Sequence, residues 1–516
     1  MTTIPNNSET NKLDIVKECS VDITKADSNS IKKNTFYNIL KTFSSVIFPL
    51  ITFPYISRVL GAENVGKISF SSSIVSYFSL IATLGISAYA IRECSKVKNN
   101  KEQLSSTASR IYSINIITTV IAYISLFFCL FIPQLNGYRG LIIIQSMSIL
   151  FTSIGTDWIN TAMEDFRYIT VRTFICQAIA LIAMITFVHK PEHYIIFAII
   201  SLISSSGAQI ANIVYRERFC KIRFTKNMNW KKDFPPIITM FVMLLAQSIL
   251  NNLDITMIGF IKNDFDVGLY STAVKVINVV QQLTISVTWV VIPQISFQYG
   301  LKNYKEINKI LRYVFSFTTV IGLPSLIGIN LFAEEIIIAI GGEEYIAAAN
   351  CLRILSISMC WGYINNIFGN LVLLPSNREK RYMYACLTSV GINSVTNAFF
   401  IPIWGINGAS FTTAISNMAT SIINFTGIEK DICFNNLRRL LKGPIWGSLS
   451  LLCPCLLIKA FIPNSYCKLA LAFIIGGFIY LIVLIMTKDE FTINTITPLT
   501  TKIKRKTKKN EKKDKH

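Results

Sequence analysis

Two charged residues stand where apolar runs should carry none, Asp254 and Lys275. An ionised side chain at mid-bilayer costs about 2.5–3.5 kcal/mol on insertion scales, so each calls for a partner or a task. Counted from the turn near Asp264 they lie 10 and 11 residues away, which places them at nearly equal depth along two helices. Equal depth allows a neutral pair across the hairpin. It also allows separate work, with Lys275 as an anion-binding point and Asp254 as its counter-ion or the seat of a coupling cation. Arg58 closes the first apolar run, Arg353 lies one turn inside the tenth, and Lys41 lies near the start of the first. Such long bases either snorkel to the headgroups or face a cavity. A cluster of Arg92, Glu93, Asp157, Glu164 and Arg167 gathers at one mouth, as gate salt bridges or as a static helix-end network.

Residues for covalent chemistry are missing by comparison. There is no P-loop. The 12 Cys are scattered, and Cys453-Pro-Cys455 is neither a zinc knuckle nor a redox pair. His189 and His193 are four apart, but Pro191 between them opposes a shared metal-binding face. Glu334-Glu335 and Glu343-Glu344 read as solvated turns rather than a metal-binding acid pair. The expectation is a protein without metal, cofactor or catalytic residue, whose chemistry is binding and movement.

The elements that must hold these charges are apolar runs near 20 residues long, the length that crosses a hydrocarbon layer. They are placed near 35–59, 67–91, 111–132, 141–161, 169–188, 193–215, 236–261, 267–293, 313–340, 350–374, 382–402, 406–427, 441–462 and 467–487, about 14 spans. Pro49 and Pro54 each deprive a carbonyl of the first span of its amide partner, which makes that helix a candidate hinge. Pro293 and Pro324 stand similarly in later spans.

Composition agrees with a membrane protein. Of 516 residues 52% are hydrophobic and only 15% charged, too apolar for a disordered chain, and the basic residues are too dilute for a nucleic-acid binder despite a net charge of +21. With both termini cytoplasmic, the cytoplasmic segments hold 40 Lys+Arg and the external loops 7. That bias fixes orientation by the positive-inside rule. The polar N-terminus is not a cleavable signal peptide.

Val65-Gly66-x-x-Ser69 recurs as Val267-Gly268-x-x-Ser271, 202 residues later, at the turn between an outgoing and a returning span. Six spans per half make the repeats parallel, an arrangement found in transporters. The expected organisation is a polar tail at 1–34, an N-lobe at 35–215, a basic linker at 216–235 and a C-lobe at 236–427. A loop at 428–440, two further spans at 441–487 and a basic tail at 488–516 follow. The fold class is all-α and polytopic, two six-helix lobes plus two C-terminal helices.

Certain strings are recognisable. Phe48-Pro49, Phe53-Pro54-Tyr55-Ile56-Ser57-Arg58-Val59-Leu60-Gly61 and Glu63-Asn64-Val65-Gly66 resemble the opening of the bacterial polysaccharide (O-antigen-type) flippase family. Ala90-Ile91-Arg92-Glu93, Asp157-Trp158, Glu164-Asp165-Phe166-Arg167-Tyr168-Ile169 with Arg172, Leu253-Asp254 and Gly405-Ile406-Asn407-Gly408-Ala409 fit the same pattern. The family belongs to the multidrug/oligosaccharidyl-lipid/polysaccharide exporter superfamily. The resemblance implies export of an undecaprenyl-diphosphate-linked oligosaccharide across the bacterial cytoplasmic (inner) membrane, by alternating access coupled to a cation gradient (H+ or Na+). It implies membrane lipids as surroundings, and a polymerase and glycosyltransferases of the same pathway as associates. The diphosphate-binding role then falls to Lys275, Arg58, Arg353 or Lys41. A multidrug–cation antiporter of the same superfamily is the nearest rival, although one for cationic compounds should carry acids in its spans. A membrane polymerase or glycosyltransferase is the more distant one.

Overall fold

The structure, a computed structural model, describes residues 25–226, 230–428, 432, 437–489 and 491–493. Most of the expected N-terminal tail, of the 428–440 loop and of the C-terminal tail lies outside the described residues, as does the side chain of Lys41. All regular structure among the described residues is helical. In lipid a backbone must satisfy its own polar groups, and helices do so within one segment.

The helices are α1 Lys25–Thr83, α2 Ile86–Lys96, α3 Lys101–Cys129, α4 Arg139–Gly155, α5 Trp158–Ala162, α6 Phe166–Phe187 and α7 Tyr194–Tyr215. Then come α8 Trp230–Ile261, α9 Asp264–Gly300, α10 Tyr304–Gly341, α11 Ala348–Asn365, α12 Glu379–Phe425, α13 Leu437–Ser450, α14 Leu452–Phe461 and α15 Ser465–Met486. A π-helical stretch, Asn366–Leu373, follows α11. Short polar residues start several helices: Asn100, Asn263 and Asn464 accept hydrogen bonds from the first free amides of α3, α9 and α15.

Eleven helical stretches are long and apolar enough to cross a membrane, against about 14 expected spans. The counts differ because α1 and α12 each fold back on themselves and count once, and because α11 is not among the eleven. α1 turns at Gly61, whose φ of 75° and ψ of 168° suit a residue without Cβ. Phe53 and Ser69, 16 residues apart, reach Lys275 and Ser271, one turn apart on α9, so the two limbs run side by side. Gly405, at φ 58°, turns α12 likewise. Ser389 of one limb donates to the Ser416 carbonyl of the other at 3.1 Å, and the Phe400 and Phe411 rings meet at 5.5 Å. The first limb of α1 lies parallel to α6, with Tyr37 bonded to Thr170 and Tyr55 to Val188 at a constant offset.

The recurring Val-Gly-x-x-Ser is not in a turn, as its position suggested, but inside the first helical turns of two packed helices. A Cβ on Gly66 would lie 1.7 Å from the Asp264 carbonyl oxygen, and one on Gly268 would lie 1.9 Å from that of Ala62. The contacts are reciprocal at the same 202-residue offset, and Ser69 Oγ bonds Ser271 Oγ at 3.2 Å. The two copies of the motif therefore touch across an approximate twofold relation.

Apolar side chains such as Phe128, Ile182, Phe399 and Phe473 are exposed around the outside, while Asn115, Thr119, Asn160, Asn212 and Asn424 are buried within. That distribution suits a chain whose solvent is lipid, and the protein is a multi-pass membrane protein. Two of the four acidic residues expected in solvated turns have structural tasks instead. Glu344 Oε1 accepts from the Ala62 amide at 3.0 Å and caps the second limb of α1. Glu335 is buried and pairs with Lys468 at 3.3 Å, tying α15 to α10.

Candidate functional site

A cavity of about 860 Å³ opens between the second limb of α1 and helices α7, α8, α9, α11 and α12. Its wall is rich in carboxamides, among them Gln247, Asn251, Asn278, Gln281, Gln282 and Asn417. Hydroxyls from Ser69, Ser72, Ser201, Ser358, Ser416 and Thr420 fill the gaps. Among the described residues only two carboxylate or ammonium groups line it, Asp254 and Lys275.

The expected pairing of those two is not found. The carboxylate of Asp254 is buried and accepts from the Tyr270 hydroxyl at 2.6 Å, the Thr413 hydroxyl at 2.5 Å and the Asn397 amide at 2.7 Å. Asn397 is steadied by Asn393, one turn away at 3.1 Å, and by the Thr412 hydroxyl. An equal count from the turn does not make the two residues partners. Lys275 is five residues beyond Tyr270, about 140° around α9 at 3.6 residues per turn. Tyr270 therefore takes Asp254 while Lys275 points elsewhere, into the cavity, where its ammonium lies 3.7 Å from the centre of the Phe53 ring. No carboxylate pairs with Lys275 among the described residues.

Two further bases singled out by sequence are turned away from the cavity. Arg58 donates to the Ala339 and Ile338 carbonyls at the end of α10 and to the Tyr466 hydroxyl, so it fastens α1 to α10 and α15. Arg353 pairs with Glu334 at 2.8 Å and bonds Asn350 at 2.6 Å, an arrangement local to α10 and α11. Both helices offered partners nearer than any cavity, and an arginine spends its donors on the first carbonyls and carboxylates it reaches.

The five-residue gate cluster separates into three. Arg92 lies over Tyr89 and contacts Glu93 at 3.4 Å, while Glu93 binds Lys96 at 2.8 Å. Glu164, at φ 60°, pairs with Lys98 at 3.0 Å. Asp157 takes a buried Arg172 and the Gln209 amide. Arg167 is exposed and joins no ion pair among the described residues. A contact that joins α8 to α2 and α3 at this end was missed. Fully buried Asp233, at the start of α8, accepts from the Tyr89 hydroxyl at 2.6 Å and pairs with Arg110 of α3 at 3.1 Å. Sequence assigned Asp233 to a basic linker, where a lone acid looks like counter-charge.

Phe53 and the carboxamide wall were also missed, although Gln247/Asn251 and Asn278/Gln282 at four-residue spacing mark polar stripes on apolar helices. Among the described residues no group of His, Cys, Asp and Glu is placed to hold a metal ion.

Comparison with known proteins places this architecture. The structure is similar to that of the lipid II flippase MurJ in an inward closed conformation, with a TM-score of 0.68 at 15% identity, covering 90% of this chain and all of the other. It is also similar to an inward-facing multidrug resistance MATE family transporter, with a TM-score of 0.56 at 14% identity, covering 76% and 93%. A protein of Escherichia coli K12 named as an O-antigen transporter is 24% identical over 361 residues, 68% of this chain and 86% of its own. A protein of Haloferax volcanii named as a low-salt glycan biosynthesis flippase is 27% identical over 173 residues, 33% of this chain and 36% of its own. The MatE family signature matches residues 239–399. The signature described as Polysaccharide biosynthesis protein matches residues 31–297, more than half of the sequence, and the chain belongs to that family.

Proposed function

We propose that the protein is a flippase that carries undecaprenyl-diphosphate-linked oligosaccharide units from the cytoplasmic to the outer leaflet of the bacterial cytoplasmic membrane. One observation carries this reading: an ammonium without a carboxylate partner among the described residues, facing a cavity walled by carboxamides and hydroxyls. A diphosphate brings about two negative charges, and charge-assisted hydrogen bonds to Lys275 can hold them. Carboxamides, with donor and acceptor on one group, suit the hydroxyls of a sugar whatever its stereochemistry. A cytoplasm-negative potential assists outward movement of an anion by roughly 2.3 kcal/mol per charge per 100 mV.

Movement by alternating access follows from the layout. Lobes at 35–215 and 236–427 rock about the Gly66–Gly268 contact, and the Asp233 contact with Tyr89 and Arg110 parts when the cytoplasmic side opens. Pro49 and Pro54 let the first limb of α1 bend, and Phe53, directly before Pro54, moves with it. Bending withdraws the ring from Lys275 and frees the ammonium for the diphosphate. Asp254, with its ring of Tyr270, Thr413 and Asn397, is the seat of a coupling cation, H+ or Na+. The multidrug–cation antiporter reading is weaker, because the base in the cavity opposes a cationic drug.

The test is leaflet exchange of a fluorescent undecaprenyl-diphosphate oligosaccharide in proteoliposomes. Exchange faster than in protein-free liposomes, and stimulated by a proton or sodium gradient, is expected. No acceleration under any gradient, with uptake of a cationic dye instead, overturns the reading in favour of drug export.

A further inference from the structure

A second cavity, of about 920 Å³, lies away from the central one, between the last turns of α9, the first turns of α10 and the start of α13. From it we infer a binding site for an anionic phospholipid, a role independent of the flippase reading. Lys305, Lys309 and Arg312 line it. At 3.6 residues per turn the three fall within about 60° of one another on α10 and span about 10 Å along it, the size of a phospholipid headgroup with its glycerol. Glu306 is the one acid among the described lining residues. It meets Lys309 at 3.3 Å in an exposed pair on the same helix, while the exposed Lys305 has no carboxylate partner among the described residues.

The rest of the wall is largely apolar, with Val291, Ile310, Leu440 and Phe491. At its inner end Ser316 is buried, and its hydroxyl has no hydrogen-bond partner although it faces this space. A buried hydroxyl left unpaired is uncommon and points to an absent acceptor. The ester carbonyls of a glycerolipid lie just below its phosphate and supply one.

The outer rim is open sideways: Val290 is 65% exposed and neighbouring Trp289 is 68% exposed. Acyl chains can therefore leave the cavity into the bilayer while the headgroup stays with the bases. The end of the bundle is also the one that the loop charges assign to the cytoplasmic leaflet, where anionic lipids meet basic pockets between helices.

The test uses purified full-length protein in a neutral detergent, titrated with dioctanoyl phosphatidylglycerol, dioctanoyl phosphatidylcholine and inorganic phosphate, with binding read by native mass spectrometry and by thermal shift. Phosphatidylglycerol should bind at least about tenfold more tightly than phosphatidylcholine, and inorganic phosphate only weakly. The double variant Lys305→Glu/Lys309→Glu should lose that preference, and Lys305→Arg/Lys309→Arg should keep it. Val291→Trp, which fills the apolar part and leaves the bases in place, should weaken phosphatidylglycerol without affecting phosphate. Equal binding of the two lipids, or a preference unchanged in both the charge-reversed and the cavity-filled protein, overturns the site. Phosphate binding as tightly as phosphatidylglycerol overturns the lipid as its occupant. Flipping of the diphosphate oligosaccharide is measured separately, so failure of either assignment leaves the other standing.

Discussion

Lys275 is stabilised by an aromatic face rather than a carboxylate, a contact worth about 0.5–2 kcal/mol that a diphosphate can displace. Replacing it with Ala should cut flipping by about 10- to 100-fold, the worth of a charged hydrogen bond, while leaving the yield of folded protein unchanged. Lys275→Arg should retain part of the activity in the proteoliposome assay. Equal losses of folded protein and of activity on Lys275→Ala would mark the residue as structural. Asp254 should respond differently, because three donors converge on its carboxylate. Asp254→Asn turns an amide donor toward donors and should destabilise by about 1–3 kcal/mol, read as a lower unfolding temperature in detergent. The same variant should flip at a rate that no longer depends on the cation gradient. Both residues were legible in the sequence as charges within apolar runs; what each faces was not, because the five residues from Tyr270 to Lys275 turn the lysine away from the side that meets Asp254.

Helix contacts explain why particular glycines stand where they do. At Gly66 and Gly268 two backbones touch, and any side chain would overlap a carbonyl oxygen. Gly66→Val and Gly268→Val should each prevent recovery of monodisperse protein, a cost above the 4–5 kcal/mol that marks exceptional substitutions, roughly speaking. Gly137→Ala, with nothing within 4 Å of the new Cβ, should be neutral in the same size-exclusion assay. The proposed hinge makes a separate demand. Pro49→Ala/Pro54→Ala restores amides to the first limb of α1 and should slow flipping while binding of the diphosphate lipid is retained. A double variant as fast as the parent protein would remove the hinge. The repeat was visible as three matched positions 202 residues apart, but its placement in a turn was mistaken, since a glycine that permits close helix contact and a glycine that permits a turn look alike in sequence.

At the scale of the whole molecule the charge bias makes a prediction about sidedness. In a variant whose 12 cysteines are replaced by serine or alanine, Gly137→Cys should react with a membrane-impermeant maleimide added to intact cells. Asn99→Cys should react only after the membrane is opened. The reverse pattern would invert the orientation. Hydrophobic run length, loop charge and the internal repeat are local or summed properties, and so the sequence by itself determined a polytopic helical membrane protein, the strings of its family, and the depth of Asp254 and Lys275. Tertiary structure decided which charges work in the cavity. Arg58 and Arg353 found carbonyls and a carboxylate on neighbouring helices, the expected gate separated into local ion pairs with other partners, and Asp233 joins α8 to α2 and α3 from a stretch that reads as linker. The reason is geometric: a helix fixes the height of a residue by its number in the chain, whereas the direction it faces has meaning only once the neighbouring helices are in place.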